Sequence, residues 1–483
     1  KQHLNKSISF IGFLGMGIGC VFGSSWLIMS GTWLDTAGGP RNAVIAMILC
    51  LLIELPMALA YLEAVPMIPL AGGEMSYSYL AFGGLAAMIA GWFGVLVNII
   101  LCAWESVAMT KMLGFLMPGL KTSSPLYTIN GSTVTLPTIL IGLALIIGIG
   151  VLQYRGTKIS AKFQATITGV VLVLVIISSV AGLTSFKSIN LLQPIATKPL
   201  TTGILSLLIL LPFSIAGWET IAKGAEESQT GLGRAKTGKA LVISLVFATF
   251  MYIITLIIPA GILPWQKLVA ADVPFATAAI ATMGTPFFGT LLIVAACFGV
   301  IGVYNACFYG ATRLMYALSE VGLIPAVFTK LHPKYKTPTA SIIFVSVVAA
   351  IAPFIGKAAL IPLIDVASFA YIILWGSTLL SVIRLRKTHP NLNRPVKMPG
   401  GMVVGYLGVV VGVLMIFAML YPKSPMALRW PVEYILLVVL LIIGVALYTL
   451  RDKNISEEER AKALLGSIVN EESANKSNNS LNV

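Results

Sequence analysis

The chain has 483 residues, 57% of them apolar and only 10% charged, with a mean hydropathy of +0.93. A soluble globular chain carries about 25% charged residues, so this composition excludes a soluble enzyme or binding domain and calls for a lipid-embedded fold. The net charge of +14 would raise the question of a nucleic-acid partner, but the placement of the basic residues answers it.

Crossing a bilayer as a helix takes about 20 apolar residues. That rule places spans near 7–29, 43–64, 84–110, 135–153, 164–184, 201–222, 241–263, 286–311, 338–356, 359–383, 402–421 and 432–450. The expectation is an all-α integral membrane protein of about twelve helices. The first apolar run lacks a small-residue cleavage site and reads as a span rather than a leader. With both termini in the cytoplasm, 23 of the 32 lysines and arginines fall in inner segments and 9 in outer loops. This is the positive-inside bias, and it accounts for the basic charge by topology.

In chain order, the first informative span reads Gly15-Met16-Gly17-Ile18-Gly19-Cys20-Val21-Phe22-Gly23-Ser24-Ser25-Trp26. Each glycine costs a helix about 1 kcal/mol relative to alanine. Either small residues serve tight helix packing here, or the helix is interrupted and its freed amides face an anion. The second span carries Glu54 ahead of Pro56, where the carboxylate could satisfy a kinked backbone, and Glu63 nearer its end. Glu105 lies in the third span, within Cys102-Ala103-Trp104-Glu105-Ser106. The outer loop from Gly119 to Leu136 is polar and turn-rich, and its Asn130-Gly131-Ser132 reads as a chance match to a glycosylation acceptor.

The sixth span contains Pro212-Phe213-Ser214-Ile215-Ala216-Gly217-Trp218-Glu219, a second interruption with a carboxylate at membrane depth. Two interruptions five spans apart point to inverted repeats (spans 1–5 and 6–10) around a midplane site, with spans 11 and 12 accessory. A transporter domain then covers 1–450. Residues 451–483 form a cytoplasmic tail, acidic and helical over Ser456–Leu465 and disordered beyond. The five cysteines lie in apolar runs without metal-ligand spacing and the three histidines sit in polar segments, so no metal or other cofactor is expected. Ionisable groups near the bilayer centre are costly and default to function. Glu54, Glu105, Glu219 and Asp365 qualify, whereas Glu63 and Glu433 sit close enough to helix ends for interfacial solvation to explain them.

Five segments resemble the amino acid–polyamine–organocation transporters, which have a LeuT-like fold. They are Gly17-Ile18-Gly19 with Gly23-Ser24-Ser25; Pro69-Leu70-Ala71-Gly72-Gly73-Glu74; Phe213 to Glu219 with Glu226-Glu227; Ala311-Thr312-Arg313-Leu314-Met315-Tyr316-Ala317-Leu318 running on to Gly322-Leu323-Ile324-Pro325 and Lys336-Thr337-Pro338; and Arg394-Pro395-Val396-Lys397-Met398-Pro399-Gly400. The resemblance implies a substrate carboxylate held by the backbone at Gly23, Ser24 and Ser25, pocket contacts from Phe213, Ala216 and Tyr304, and a gating or proton-responsive Glu219. Glu219 could equally bond free backbone amides. Glu105 stands where relatives usually have an uncharged pocket residue. It could pair with the amine of a cationic amino acid or a diamine, carry a proton, or be solvated near the surface. Trp218 could face lipid or a neighbouring helix.

Two departures bear on energy coupling. Val171 stands where some proton-coupled members have a lysine. Leu291 to Ala311 holds no serine or threonine, whereas sodium-coupled relatives use hydroxyls there as hard ligands. The resulting expectation is sodium-independent transport of amino acids or related amines across the plasma membrane, by proton symport or exchange. With no nucleotide-binding motif, no nucleotide partner is expected. An amine sensor that keeps the fold without transport is the alternative. Substrate identity, stoichiometry and oligomeric state have no signature in the sequence.

Overall fold

The structure is a computed structural model that describes residues 8–70, 72–156, 161–192, 196–225, 228, 233–451, 455–456 and 459–460. Glu226, Glu227 and most of the C-terminal tail lie outside the described residues. In lipid every backbone amide and carbonyl needs an internal partner, so helices dominate. They run as α1 (Phe10–Val21), α2 (Ser25–Ile28), α3 (Ser30–Ala37), α4 (Pro40–Met67), α5 (Glu74–Phe82), α6 (Gly84–Leu116), α7 (Gly119–Thr122), α8 (Leu136–Tyr154), α9 (Ala161–Gly182), α10 (Ile189–Leu192) and α11 (Leu200–Leu208). They continue as α12 (Leu211–Ile215), α13 (Thr220–Gly224), α14 (Arg234–Ile262), α15 (Trp265–Ala270), α16 (Pro274–Met283), α17 (Pro286–Glu320), α18 (Thr339–Ala349), α19 (Ile351–Ile355), α20 (Leu360–Thr388), α21 (Gly401–Leu420) and α22 (Val432–Thr449).

Among the described residues, ten helices are long and apolar enough to cross a membrane. One of the ten is the 50-residue stretch Thr339–Thr388, which turns sharply at Gly356 (φ 63°). The stretch from α11 to α13 is too broken to count as one helix. The expected twelve would need the first stretch to cross twice and the second to cross once. Burial grades from centre to rim: 83% of the apolar window of α6 is buried but only 22% of that of α22. Hence α6 is the axis of the bundle and α21 and α22 form its edge, where Val403, Phe417 and Val445 point outward.

The polar loop expected between spans three and four is an ordered hairpin, β1 (Pro125–Ile129) against β2 (Ser132–Thr135). Asn130 (φ 47°) and Gly131 (φ 77°) make its two-residue turn, the geometry that Asn-Gly favours because it fits the strand twist. Tyr127 ties the hairpin to the main chain by donating its hydroxyl to the Phe354 carbonyl at 2.6 Å.

The two ends of the bundle are locked by different ion pairs. At the hairpin end, Lys121 and Lys357 both hold Asp272 between α15 and α16. At the opposite end Glu63 is fully buried. It accepts from Arg386 and from the Met398 amide (2.7 Å), and Arg394 lies 3.3 Å away. Glu63 is therefore no solvated helix-end acid: the last turn of α20 and the segment after it close over it and supply its counter-charges. Glu433, also expected to be solvated, is likewise buried and accepts the Arg429 amide N–H at 2.6 Å.

Candidate functional site

The glycine-rich first span is interrupted as its composition suggests. Helix α1 ends at Val21, Phe22 leaves the helical region (φ −86°, ψ 56°), and α2 restarts at Ser25. The amides of Gly23 and Ser24 donate to no acceptor among the described residues. An unpaired buried amide is costly, so such a pair is a ready anion cradle. The free end of α1 is pinned from the side, since Tyr252 donates to the Val21 carbonyl at 2.6 Å.

Glu105, from the middle of α6, reaches this break. Its Oε2 accepts the Ser24 hydroxyl at 2.8 Å, and the residue is 3% exposed. A Cβ on Gly23 would stand 3.2 Å from Glu105 Oε1 and 3.6 Å from Val303 on α17. Glu105 is thus neither solvated nor without a partner. The nearest basic residue along α6, Lys111, instead donates to the Ile28 carbonyl at 3.2 Å.

The second interruption lies between α12 and α13. Ala216 is extended and Gly217 has φ 115°. A Cβ on Gly217 would fall 2.7 Å from the carbonyl carbon of Cys20 and 2.9 Å from the Val21 nitrogen. The two breaks therefore meet backbone to backbone, an approach only glycine permits. The polar groups at Gly217 are satisfied locally: its amide donates to Glu219 Oε2 at 2.9 Å and its carbonyl accepts from the Thr220 hydroxyl at 2.6 Å.

The remaining sequence-picked residues divide. Phe213 packs edge-on against Trp104, the neighbour of Glu105, with ring centroids 5.4 Å apart. Its amide donates to Ser368 on α20 at 3.0 Å. Ala216 is buried at the second break. Tyr304 adjoins Val303 on α17, and its buried hydroxyl has no hydrogen-bond partner among the described residues. Trp218 faces neither lipid nor the first break. It stacks on Trp375, meets Tyr61 edge-on, and donates to Glu54 Oε2 at 3.3 Å. Glu54 accepts from Cys50 as well; its recorded partners are these side chains, not the kinked backbone around Pro56.

Sequence reasoning missed four residues here. Ser368 and Tyr252 are isolated polar residues in apolar spans, and only the fold reveals what they hold. The third is Gln164 on α9. A Cβ on Gly19 of α1 would lie 2.7 Å from Gln164 Nε2, and one on Gly302 of α17 would lie 2.0 Å from Gln164 Oε1. A neutral carboxamide is therefore wedged between α1 and α17, two turns before Val171. Lys223, on α13 just after the second break, also went unnoticed; its buried Nζ has no acceptor among the described residues.

Comparison with known proteins agrees with this architecture. Residues 8–446 match the family model described as amino acid permease. The methylthioribose transporter of Bacillus subtilis is 28% identical, over 83% of this chain and 85% of its own length. The branched-chain amino acid permease BcaP of the same organism is 26% identical over 95% of each chain. Its aspartate-proton symporter is 24% identical over 86% of this chain and 80% of the relative. A family match across nearly the whole chain, on a bundle of apolar helices, makes this protein a multi-pass membrane transporter of the amino acid permease family.

Proposed function

We propose that this permease is a sodium-independent secondary carrier of amino acids or related amines in the plasma membrane, working by proton symport or by exchange. The observation that carries the reading is the first break, where two amides lack acceptors among the described residues beside a buried carboxylate. A substrate carboxylate on the amides of Gly23, Ser24 and Ser25 leaves its ammonium within reach of Glu105. Phe213, Ala216 and Tyr304 form the apolar wall. Because Ser24 already partners Glu105, the α-ammonium of a neutral amino acid suffices as counter-charge, and a cationic side chain is not required.

In this reading twelve spans form two inverted sets of five plus two accessory helices, with both termini in the cytoplasm. Transport rocks one bundle against the other around the paired breaks. Glu219 acts as gate, since a proton on it weakens the bond to the Gly217 amide. Proton coupling has support in the name of one relative, an aspartate-proton symporter. Sodium independence draws support from the absence of serine and threonine between Leu291 and Ala311 and from the carboxamide of Gln164 between α1 and α17. Uptake of a panel of amino acids into vesicles, with choline replacing sodium, tests both parts. Uptake should persist in choline; its collapse would overturn the sodium claim, and no uptake in either salt would overturn transport.

A further inference from the structure

Away from the two breaks, a second pair of acids is buried at the hairpin end. Asp365 lies in the second turn of α20 and Glu433 in the first turn of α22, and they are 1% and 0% exposed. Their carboxyl groups converge on the same atom, Arg429 Nε. Among the described residues, neither Asp365 Oδ1 nor Glu433 Oε1 receives a hydrogen bond. The nearby cation is Arg429, whose Nε stands 4.0 Å from Asp365 Oδ2 and 3.9 Å from Glu433 Oε1 with its side chain 62% exposed. One guanidinium balances at most one of the two acids, and its exposure to solvent weakens even that pairing.

The charged groups on the elements packed around this corner are engaged elsewhere. On α4, Arg41 is exposed, Glu54 meets Cys50 and Trp218, and Glu63 meets Arg386. Glu74 of α5 accepts from Tyr61, Glu105 of α6 from Ser24, and Lys111 donates to Ile28. Lys357, in the turn before α20, holds Asp272. Helices α12 and α21 carry no charged residue.

Two buried carboxylates that share a single cation resist being ionised together. We propose that Asp365 and Glu433 hold one proton between them, forming a protonation site separate from the substrate site that fastens accessory helix α22 to α20. The fastening bears on transport through Ser368, one turn along α20 from Asp365, which holds the Phe213 amide ahead of the second break. Ionising both acids would push α22 and α20 apart and disturb that hold. The pair is independent of how the first break is used.

Infrared spectra of the full-length protein, together with melting temperatures across a pH series, test the pair in wild type, Asp365→Asn, Glu433→Gln and the double variant. Two acids sharing a proton bind more protons folded than unfolded, so the wild type should lose stability as pH rises above the ordinary carboxyl range. The double variant should lose less over the same range. The carbonyl stretch of one protonated acid, present in wild type at neutral pH, should be missing from the double variant. If one single variant fails to fold, the other reports on the same band. An acid band unchanged in the double variant, or a wild-type pH slope no steeper than that variant's, would overturn the proposal.

Discussion

The two helix breaks meet at Gly217 and Cys20, yet they treat their freed backbone groups in opposite ways. At the second break, Glu219 and Thr220 return to the amide and carbonyl of Gly217, which makes a self-contained corner. At the first, the amides of Gly23 and Ser24 have no acceptor among the described residues, and the nearest carboxylate belongs to Glu105, bound to the Ser24 side chain instead. A break that supplies its own acceptor is a hinge or gate; one that leaves amides unpaired in a buried site is built for an anion from outside the chain. The difference assigns the two breaks separate tasks.

The largest expected effect falls on the contact between them. Gly217→Ala puts a methyl 2.7 Å from the Cys20 carbonyl carbon at a φ of 115°. The backbone strain alone costs about 1–3 kcal/mol, and the clash adds to it. Purified yield and melting temperature should both fall sharply. A variant as stable as wild type would mean that the breaks are not in contact.

Next comes Glu105→Gln, which keeps the shape and removes the charge. If the substrate ammonium pairs with Glu105, affinity for an amino acid should drop by roughly 2–5 kcal/mol, the range for truncating one partner of a buried charge pair. If Glu105 instead carries the transported proton, affinity holds and the pH dependence of uptake flattens. Titration of ligand binding alongside uptake at several pH values separates the two roles. Unchanged affinity and pH dependence would remove Glu105 from the site.

Much of this contrast could be read from the chain before any fold was known, and the reasons for what could not are physical. Glycine and serine density marks the first break, and proline with glycine marks the second, because backbone conformation is a local property. Partnerships are not local. Ser24 and Glu105 are 81 positions apart, and Glu63 finds Arg386 across 323. Glu63 and Glu433 lie close to the ends of apolar stretches, and only packing reveals that loops fold back over them. Trp218 lies at the second break, where the chain leaves helical periodicity, so its inward orientation had no signature. The hairpin did have one, Asn130-Gly131 between short β-branched and aromatic runs, although membrane patterning hid it.

The smallest expected effect tests the ion-pair clamp at the hairpin end. Partial burial alone would raise the Asp272 carboxyl, but hydrogen bonds and charge from Lys121 and Lys357 outweigh it and hold the group near about 2. A depressed carboxyl contributes stability that is present above the unfolded value, near about 4, and is lost as pH falls towards 2. These side chains are 31–39% exposed, so the contribution is about 0–1 kcal/mol. Asp272→Asn should lower the melting temperature slightly at neutral pH, and the gap should close in acid. A gap that widens in acid would contradict the clamp.

The central claim, that the first break holds the substrate carboxylate, is tested most directly by a thermal-shift screen of wild type and Gly23→Leu against amino acids. A ligand that binds only the folded state raises its melting temperature by mass action. The leucine side chain would fill the approach to the amides, beside Glu105 and Val303. At least one amino acid should stabilise the wild type and leave the folded variant unmoved, whereas an equal shift in both would contradict the claim.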